Sequence, residues 1–178
     1  MKKKKIDQSW TLFLDRDGVL NRRIVGGYVT KTSQFEWLPG VLPALHYLTD
    51  RFGTTVVVTN QQGVGKALMT QDDLDSIHSM MSQQASFANA KIDKIYACTG
   101  LAEDNPKGRK PNTGMGLKAQ DDFPQIDFKK SVMVGDSQTD MGFGESLGMK
   151  TVFIGPKKNK SADKTFANLW EFAQWLGA

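Results

Sequence analysis

Four aspartates in this chain stand directly after short apolar runs. Asp15 and Asp17 follow the first run, and Asp136 and Asp140 follow a later one. Such runs are typical of buried strands, and the carboxyl ends of parallel strands meet at one edge of a sheet, where ligands bind. The same edge is predicted to receive five more polar residues: Thr59, Asn60, Gln61, Arg109 and Lys110. Each of these residues alone is common in a turn, a cap or a surface loop, but four separated segments that meet at one edge indicate a functional site.

The charges of this set indicate its ligand. The four carboxylates cannot all stay ionised in one crevice without counter-charges. Arg109 and Lys110 supply two positive charges, and a divalent cation would supply two more. Because the set offers carboxylate oxygens and neither His nor Cys, we expect Mg²⁺, which also binds substrate phosphate. The pattern therefore predicts a phosphate-binding site with Mg²⁺ as cofactor.

The elements that must position these residues alternate along the chain. Apolar or β-branched runs predict five strands, at 10–14, 54–58, 92–98, 131–134 and 151–154. Helices are predicted between them at 41–52, from 70 onward, at 114–122 and at 140–147, with a closing helix that carries Phe166, Leu169, Trp170, Ala173 and Leu176. The alternation predicts an α/β fold: one doubly wound, Rossmann-like parallel sheet with helices on both faces and no cap domain.

Composition excludes several other classes. With 178 residues, 39% of them hydrophobic, the chain suits one globular domain, and no apolar run approaches the ~18 residues of a membrane span. The basic N-terminus lacks the apolar stretch of a secretory signal, and one cysteine cannot form an internal disulfide, so we expect a cytoplasmic protein.

The net charge of +4 is matched by the four lysines at positions 2–5, so residues 6 to 178 are neutral. A basic patch on the fold is not implied, and a nucleic-acid partner is not expected. We predict a disordered basic tail at 1–8, a monomeric domain at 9–178 and a small phosphorylated molecule as the substrate.

The motifs resemble those of the haloacid-dehalogenase-like phosphatases over residues 11–154. The four similar segments are Asp15-Arg16-Asp17-Gly18-Val19-Leu20, Val58-Thr59-Asn60, Lys110-Pro111 and Gly135-Asp136-Ser137-Gln138-Thr139-Asp140. The resemblance implies that Asp15 is a nucleophile that takes the phosphoryl group as an aspartyl-phosphate. It implies that Asp17 protonates the leaving alcohol and then activates the water that releases phosphate.

The resemblance also assigns the residues around this pair. Thr59 and the backbone beside Asn60 would hold phosphate oxygens, and Lys110 would neutralise developing charge. Asp140 would support Lys110 or a metal-bound water. The implied metal ligands are Asp15, the backbone carbonyl of Asp17, and Asp136.

Within that family the chain is most similar to the histidinol-phosphate and D-glycero-D-manno-heptose 1,7-bisphosphate phosphatases. The similarity lies in Asp-Arg-Asp-Gly, Gly27-Tyr28-Val29, Leu38-Pro39-Gly40-Val41, Thr59-Asn60-Gln61-x-Gly63 and Arg109-Lys110-Pro111. That subgroup often carries a zinc loop of Cys and His. Here Cys98 is in register, but Gly100, Pro106 and Gly108 occupy the other three ligand positions. A lone thiol cannot build a tetrahedral zinc site, so no zinc is expected.

Without a cap domain, loops near Gly26-Gly27-Tyr28 and at 62–66 must recognise the substrate. Gln61 is counted among the substrate-binding residues. Arg109 and Lys66 add two positive charges beyond those a monophosphate needs, which favours a second phosphate and hence the heptose 1,7-bisphosphate ahead of histidinol phosphate. The alternative for Lys66 is that it faces water.

Three other functions use similar sequence features. The glycine-rich segment Gly63-Val64-Gly65-Lys66 fails as a nucleotide-binding P-loop, because Asn60 and Ala67 stand where Gly and Ser or Thr are required. A phospho-receiver domain would carry its acceptor carboxylate after the third strand, where this chain has Cys98-Thr99. A polynucleotide 3′-phosphatase stays open, supported by the lysine tail and the Thr-Asn-Gln segment.

Overall fold

A six-stranded parallel sheet forms the centre of the computed structural model, which describes residues 6–177. Its strands are β1 (Thr11–Leu14), β2 (Thr54–Asn60), β3 (Lys94–Cys98), β4 (Ser131–Gly135), β5 (Lys150–Ile154) and β6 (Lys164–Phe166). Their order across the sheet is β3-β2-β1-β4-β5-β6, and every neighbouring pair is parallel. The chain runs outward from β1 to one side, returns, and continues to the other side from β4. The crevice between β1 and β4 is therefore the topological switch point, where such sheets bind ligands.

Within residues 6–177, five α-helices cover the sheet: α1 (Val41–Arg51), α2 (Gln71–Phe87), α3 (Gly114–Asp122), α4 (Gln138–Ser146) and α5 (Leu169–Gly177). Capping boxes begin two of them. Thr70 and Asp73 exchange side-chain and backbone hydrogen bonds at the start of α2, and Ser137 and Asp140 do so at the start of α4. The second box matters for function, because it places Asp140 at the edge where β4 ends.

Alternation along β1 divides the core between two layers. Leu12 and Leu14 face one side and pack in a cluster with residues of α1, α2 and α5. Phe13 faces the other side and packs with residues of α3 and α4. All three side chains have no exposed surface. Because helices cover both faces of this strand, the polar residues at its carboxyl end start from a fixed backbone.

The predicted fold class is confirmed, with one strand missed. β6 has three residues, too few to show a strand period, and its Phe166 falls on the apolar stripe predicted for the closing helix. Phe166 packs on that helix from outside: its ring centroid lies 5.6 Å from Phe172 and 5.7 Å from Trp175. Phe166 therefore packs on the closing helix without belonging to it, and its sequence position matches the helical spacing by coincidence.

The predicted tail boundary at residue 8 also needs correction. Residues 1–5 lie outside the described residues, but Ile6 is buried in the core and its carbonyl accepts a hydrogen bond from Arg51. The packed core therefore includes Ile6, three residues before the predicted start of the domain at residue 9. Among residues 6–177, no helix combines the length and apolar character needed to cross a bilayer.

Candidate active site

A cavity of about 420 Å³ opens at the carboxyl edge of the sheet, at the switch point. Its lining combines strand-end residues with the segment between β1 and α1: Asp15, Asp17, Arg23, Ile24, Gly26, Gly27, Tyr28, Val29, Thr59, Asn60, Arg109, Lys110, Ser137, Thr139 and Asp140. Seven of the predicted site residues line this cavity. The structure therefore brings all four sequence motifs to one place.

Lys110 lies at the floor of the cavity between two carboxylates. Its Nζ is 2.7 Å from Asp15 Oδ1 and 2.6 Å from Asp140 Oδ1, and it also donates to the carbonyl of Val58 at 2.7 Å. Burial alone would lower the pKa of Lys110, but Asp15 and Asp140 together raise it above its usual value. Lys110 is therefore a permanent cation beside Asp15.

Asp15 carries less charge than a surface aspartate. Burial, with a smaller contribution from the negative charge of Asp140, raises its pKa to about 7 against the attraction of Lys110. Two carboxylates share one lysine here, so the group has a net negative charge that a further cation would balance. This is the electrostatic reason to expect a metal ion next to Asp15.

The donor atoms present fit Mg²⁺. One oxygen each from Asp15, Asp136 and Asp140 lie within 4.8 Å of one another. Asp140 already pairs with Lys110 and accepts hydrogen bonds from the backbone and hydroxyl of Ser137, so it is better placed to support Lys110 than to bind a metal. Hard oxygen donors with an excess of negative charge are what Mg²⁺ prefers.

Arg23 holds two of the oxygens predicted to bind the metal. Its Nη2 is 2.7 Å from Asp136 Oδ1 and 3.3 Å from the backbone carbonyl of Asp17. Burial raises the pKa of Asp136 to about 6, and Arg23 opposes that rise. The guanidinium thus supplies a positive charge at the same oxygens that a divalent cation would need.

Gly18 allows the Asp136 carboxylate to lie close to the backbone of the first motif. Its φ is +95°, which glycine adopts without strain, and a Cβ at this position would overlap the Asp136 carboxylate. A Cβ at Gly135 would likewise overlap the side chain of Asp140. The glycines of the first and fourth motifs therefore leave the room into which the acidic side chains fit.

Asp17 is held by donors on both carboxylate oxygens. Arg16 Nη2 donates to Oδ1 and Oδ2 at 3.1 and 2.9 Å, Asn21 donates to Oδ1 at 2.9 Å and Gln61 to Oδ2 at 2.7 Å. Burial would raise the pKa of Asp17, but Arg16 and these hydrogen bonds lower it below its usual value. In the free protein Asp17 is therefore a carboxylate.

Gln61 has a different place from the one predicted. The sequence predicts a substrate-binding residue, yet Gln61 is buried, does not line the cavity, and donates to both Asp17 and Thr59. Sequence reasoning also missed Arg16 and Asn21. The pattern offered a weak signal for Asn21, four residues after Asp17, but no sequence rule distinguishes a buried Arg16 from a surface arginine.

The other predicted binding residues divide into two groups. Arg109 lines the cavity, and its Nη1 is buried without a hydrogen-bond partner among the described residues. Asn60 also lines it, but its side-chain amide exchanges hydrogen bonds with the backbone of Lys110 at 3.0 and 3.1 Å. Lys66 is exposed outside the lining, with Nζ 5.6 Å from the ring centre of Tyr28. Its position matches the alternative in which it faces water.

The four positions of the zinc loop lie close together but carry one thiol. Cys98 is buried, and a Cβ at Gly108 would lie 3.7 Å from its Sγ. A Cβ at Gly100 would lie 2.9 Å from the ring of Pro106. A side-chain hydrogen bond joins two parts of this loop: Asn112 Nδ2 donates to the carbonyl of Pro106 at 3.1 Å. We predict that the purified protein carries no stoichiometric zinc; one zinc per chain by elemental analysis would contradict this.

Acid sensitivity is predicted from His78, which lies on α2 3.1 Å from Arg16. Burial, with a further contribution from Arg16, lowers the pKa of His78 from 6.5 to about 4. Between these values the unfolded chain binds a proton that the folded chain does not, so this contribution to stability is complete above pH 6.5 and is lost as the pH falls towards 4. His78→Gln should therefore lose less thermal stability than the wild type between pH 7 and 4.5. Parallel melting curves against pH would contradict the assignment.

Comparisons with known proteins agree with the geometry of the site. Residues 12–173 match a family model described as polynucleotide kinase 3 phosphatase. The D-glycero-alpha-D-manno-heptose-1,7-bisphosphate 7-phosphatase of Mycobacterium tuberculosis (strain H37Rv) is 39% identical, with 94% of this chain and 92% of the relative covered. The enzyme of the same name from Campylobacter jejuni is 35% identical, with 93% and 94% covered.

A solved structure extends the likeness to the fold. The D,D-heptose 1,7-bisphosphate phosphatase of B. bronchiseptica, complexed with magnesium and phosphate, superposes with a TM-score of 0.84 at 26% identity, covering 94% of this chain and 97% of that one. The chain therefore belongs to the haloacid-dehalogenase-like phosphatases, as its motifs predicted. It is an enzyme that hydrolyses phosphate monoesters, and the relatives it matches over nearly their whole length are named heptose-bisphosphate 7-phosphatases.

Proposed function

We propose that this enzyme is a Mg²⁺-dependent phosphatase that removes one phosphate from a sugar bisphosphate, D-glycero-D-manno-heptose 1,7-bisphosphate. The observation that carries the phosphatase chemistry is the buried contact of Asp15 with Lys110 in the same cavity as Asp17. The substrate is supported by the relatives named for this bisphosphate, which match over nearly their whole length.

Asp15 and Asp17 have different roles in the proposed reaction. An oxygen of Asp15 attacks phosphorus, the bond to the substrate oxygen breaks, and Asp17 gives its proton to that oxygen. Asp17 then takes a proton from water, whose oxygen attacks phosphorus and frees Asp15 and inorganic phosphate. Lys110 and the hydroxyl of Thr59 stabilise the charge on the transferring group. Mg²⁺, held by Asp15, Asp136 and the Asp17 carbonyl, would add two positive charges beside that group.

The lowered pKa of Asp17 suits the second step, which needs a carboxylate. The first step needs the acid form. A bound phosphate nearby raises the pKa of a carboxyl group by like-charge repulsion, so substrate binding favours the proton on Asp17. We therefore assign the acid form to the substrate complex; once its proton has passed to the leaving oxygen, Asp17 is the base in the phosphorylated enzyme.

Arg109 supports the preference for a second phosphate. It lines the cavity, one of its buried nitrogens has no hydrogen-bond partner within residues 6–177, and its fork matches phosphate geometry. The test compares kcat/KM for the heptose 1,7-bisphosphate and for histidinol phosphate, in the wild type and in Arg109→Gln. We expect the bisphosphate to be preferred and the preference to shrink in the variant. Equal or better turnover of histidinol phosphate by the wild type would overturn the proposed substrate.

A polynucleotide 3′-phosphatase is the second candidate, favoured by the description of the matching family model. It would require turnover of a 3′-phosphorylated oligonucleotide, with an affinity that falls steeply as salt is added. Including that oligonucleotide in the same substrate comparison decides between the two. Faster turnover of the oligonucleotide than of the sugar bisphosphate would favour this second candidate.

Competition between Arg23 and the metal gives a further prediction. Mg²⁺ must displace the guanidinium from Asp136, and a half-exposed ion pair is worth roughly 0.2–1 kcal/mol. Arg23→Gln should therefore bind Mg²⁺ about 1.4- to fivefold more tightly in calorimetric titration. The matched control is Arg22→Gln, because Arg22 pairs with Glu36 at the surface. Equal or weaker binding by Arg23→Gln would contradict the competition.

We further propose that the enzyme acts as a monomer in the cytoplasm, with one catalytic domain behind a basic N-terminal segment. The cytoplasmic assignment is supported by the single buried cysteine, which suits a reducing compartment. For the monomer, the support is that all four motifs of the proposed site lie in one chain, so the site needs no residue from a second copy.

A further inference from the structure

Arg16 is a charged side chain with no exposed surface, next to the proposed nucleophile. Its guanidinium contacts two groups. Nη2 donates to both oxygens of Asp17, and Nη1 lies 3.1 Å from Nε2 of His78 on α2. A buried guanidinium is costly unless its donors find acceptors, so these two groups decide where Arg16 sits.

His78 is suited to accept from Arg16. Its low pKa keeps the ring neutral at pH 7, so Nε2 can offer a lone pair while Nδ1 carries the proton. It comes from a different element, 62 residues further along the chain, and α2 is packed into the core by Leu74, Ile77 and Met81. His78 therefore gives Arg16 a fixed support from behind the site.

We propose that His78 is a positioning residue for the phosphatase reaction: it fixes the guanidinium of Arg16, which fixes the orientation of the Asp17 carboxylate in the cavity. Asn21 and Gln61 each hold one oxygen of Asp17. Within residues 6–177, Arg16 is the side chain that donates hydrogen bonds to both carboxylate oxygens of Asp17. The proposal rests on the acid–base role proposed for Asp17.

The consequence is specific to substrates that need a proton. A sugar alkoxide leaves only when Asp17 protonates it, and that transfer depends on hydrogen-bond geometry. The phenolate of 4-nitrophenyl phosphate leaves without a proton. A misplaced Asp17 should therefore slow an alkyl phosphate much more than the aryl phosphate.

The experiment measures kcat/KM for glycerol 2-phosphate and 4-nitrophenyl phosphate with the Mg²⁺-loaded enzyme and takes their ratio. His78→Leu keeps volume but removes the acceptor, and its ratio should fall about tenfold. His78→Gln restores an acceptor and should return the ratio to within about twofold of the wild type. If His78→Leu does not fold, His78→Ala carries the same comparison. The ratio does not depend on the active fraction of a preparation.

Two further variants complete the design. His46, the other histidine of the chain, is exposed and contacts the carbonyl of Asn89, so His46→Leu should leave the ratio unchanged. Asp17→Asn should lower the ratio at least as much as His78→Leu. If Asp17→Asn lowers the ratio and the folded His78 variants do not, the positioning role is wrong while the role of Asp17 stands. If Asp17→Asn also leaves it unchanged, the acid role itself fails, and the positioning role with it.

Discussion

Asp15→Asn should lower kcat by at least ~10³-fold on any phosphate monoester the enzyme accepts. The substitution keeps the shape of the side chain but removes the attacking carboxylate and one metal ligand. It also removes a partner of Lys110, which retains Asp140. Steady-state phosphate release at saturating Mg²⁺ measures the effect.

Stability should not account for this loss. Burial raises the pKa of Asp15, so the folded protein gains little from its charge, and a neutral amide fits the same place. Asp72→Asn, which removes an exposed carboxylate from the first turn of α2, is the matched control and should leave kcat near the wild-type value. Near-normal turnover by a folded Asp15→Asn protein would refute the proposed nucleophile.

Asp17→Asn is expected to cost about 10²–10⁴-fold on an alkyl phosphate and much less on an aryl phosphate. Its backbone carbonyl stays available to the metal, so Mg²⁺ binding should survive. Arg16, Asn21 and Gln61 donate four hydrogen bonds to the two carboxylate oxygens. An Asn side chain has one oxygen and one NH₂ group, so it cannot accept all four. Kinetics on both substrates, with Mg²⁺ affinity from calorimetry, test the separation. An unchanged rate on the alkyl phosphate would show that another group supplies the proton.

The residues at strand ends were predictable because two local patterns coincide there. A β-branched or apolar run marks the strand, and the polar residues that follow it must lie at the sheet edge. Asp15 and Thr59 line the cavity for this reason, whereas Lys110 reaches it from a loop 12 residues after β3 ends. The family motifs add what spacing alone cannot, namely which carboxylate attacks and which transfers a proton.

Side-chain partners across the fold were not predictable in the same way. The contact of Arg16 with His78 joins residues 62 positions apart, and that of Arg23 with Asp136 joins residues 113 apart. No local period encodes such pairs; packing decides them once the sheet is assembled. Gln61 differs from its prediction in another way. It directly follows a motif and is predicted to contact substrate, but its side chain donates to Asp17 and Thr59 instead. Short elements such as β6 were not predicted, because three residues are too few to show a strand period.

Direct trapping of the phosphorylated enzyme tests the central claim most closely. The Asp17→Asn variant, loaded with Mg²⁺ and mixed with 4-nitrophenyl phosphate, should accept the phosphoryl group but release it slowly, because the base for the attacking water is missing. Rapid acid quench, digestion and mass spectrometry should then find phosphate on Asp15 in the peptide that contains residues 11–17. Nitrophenolate release without phosphate on Asp15, or with phosphate on another residue, would contradict the account.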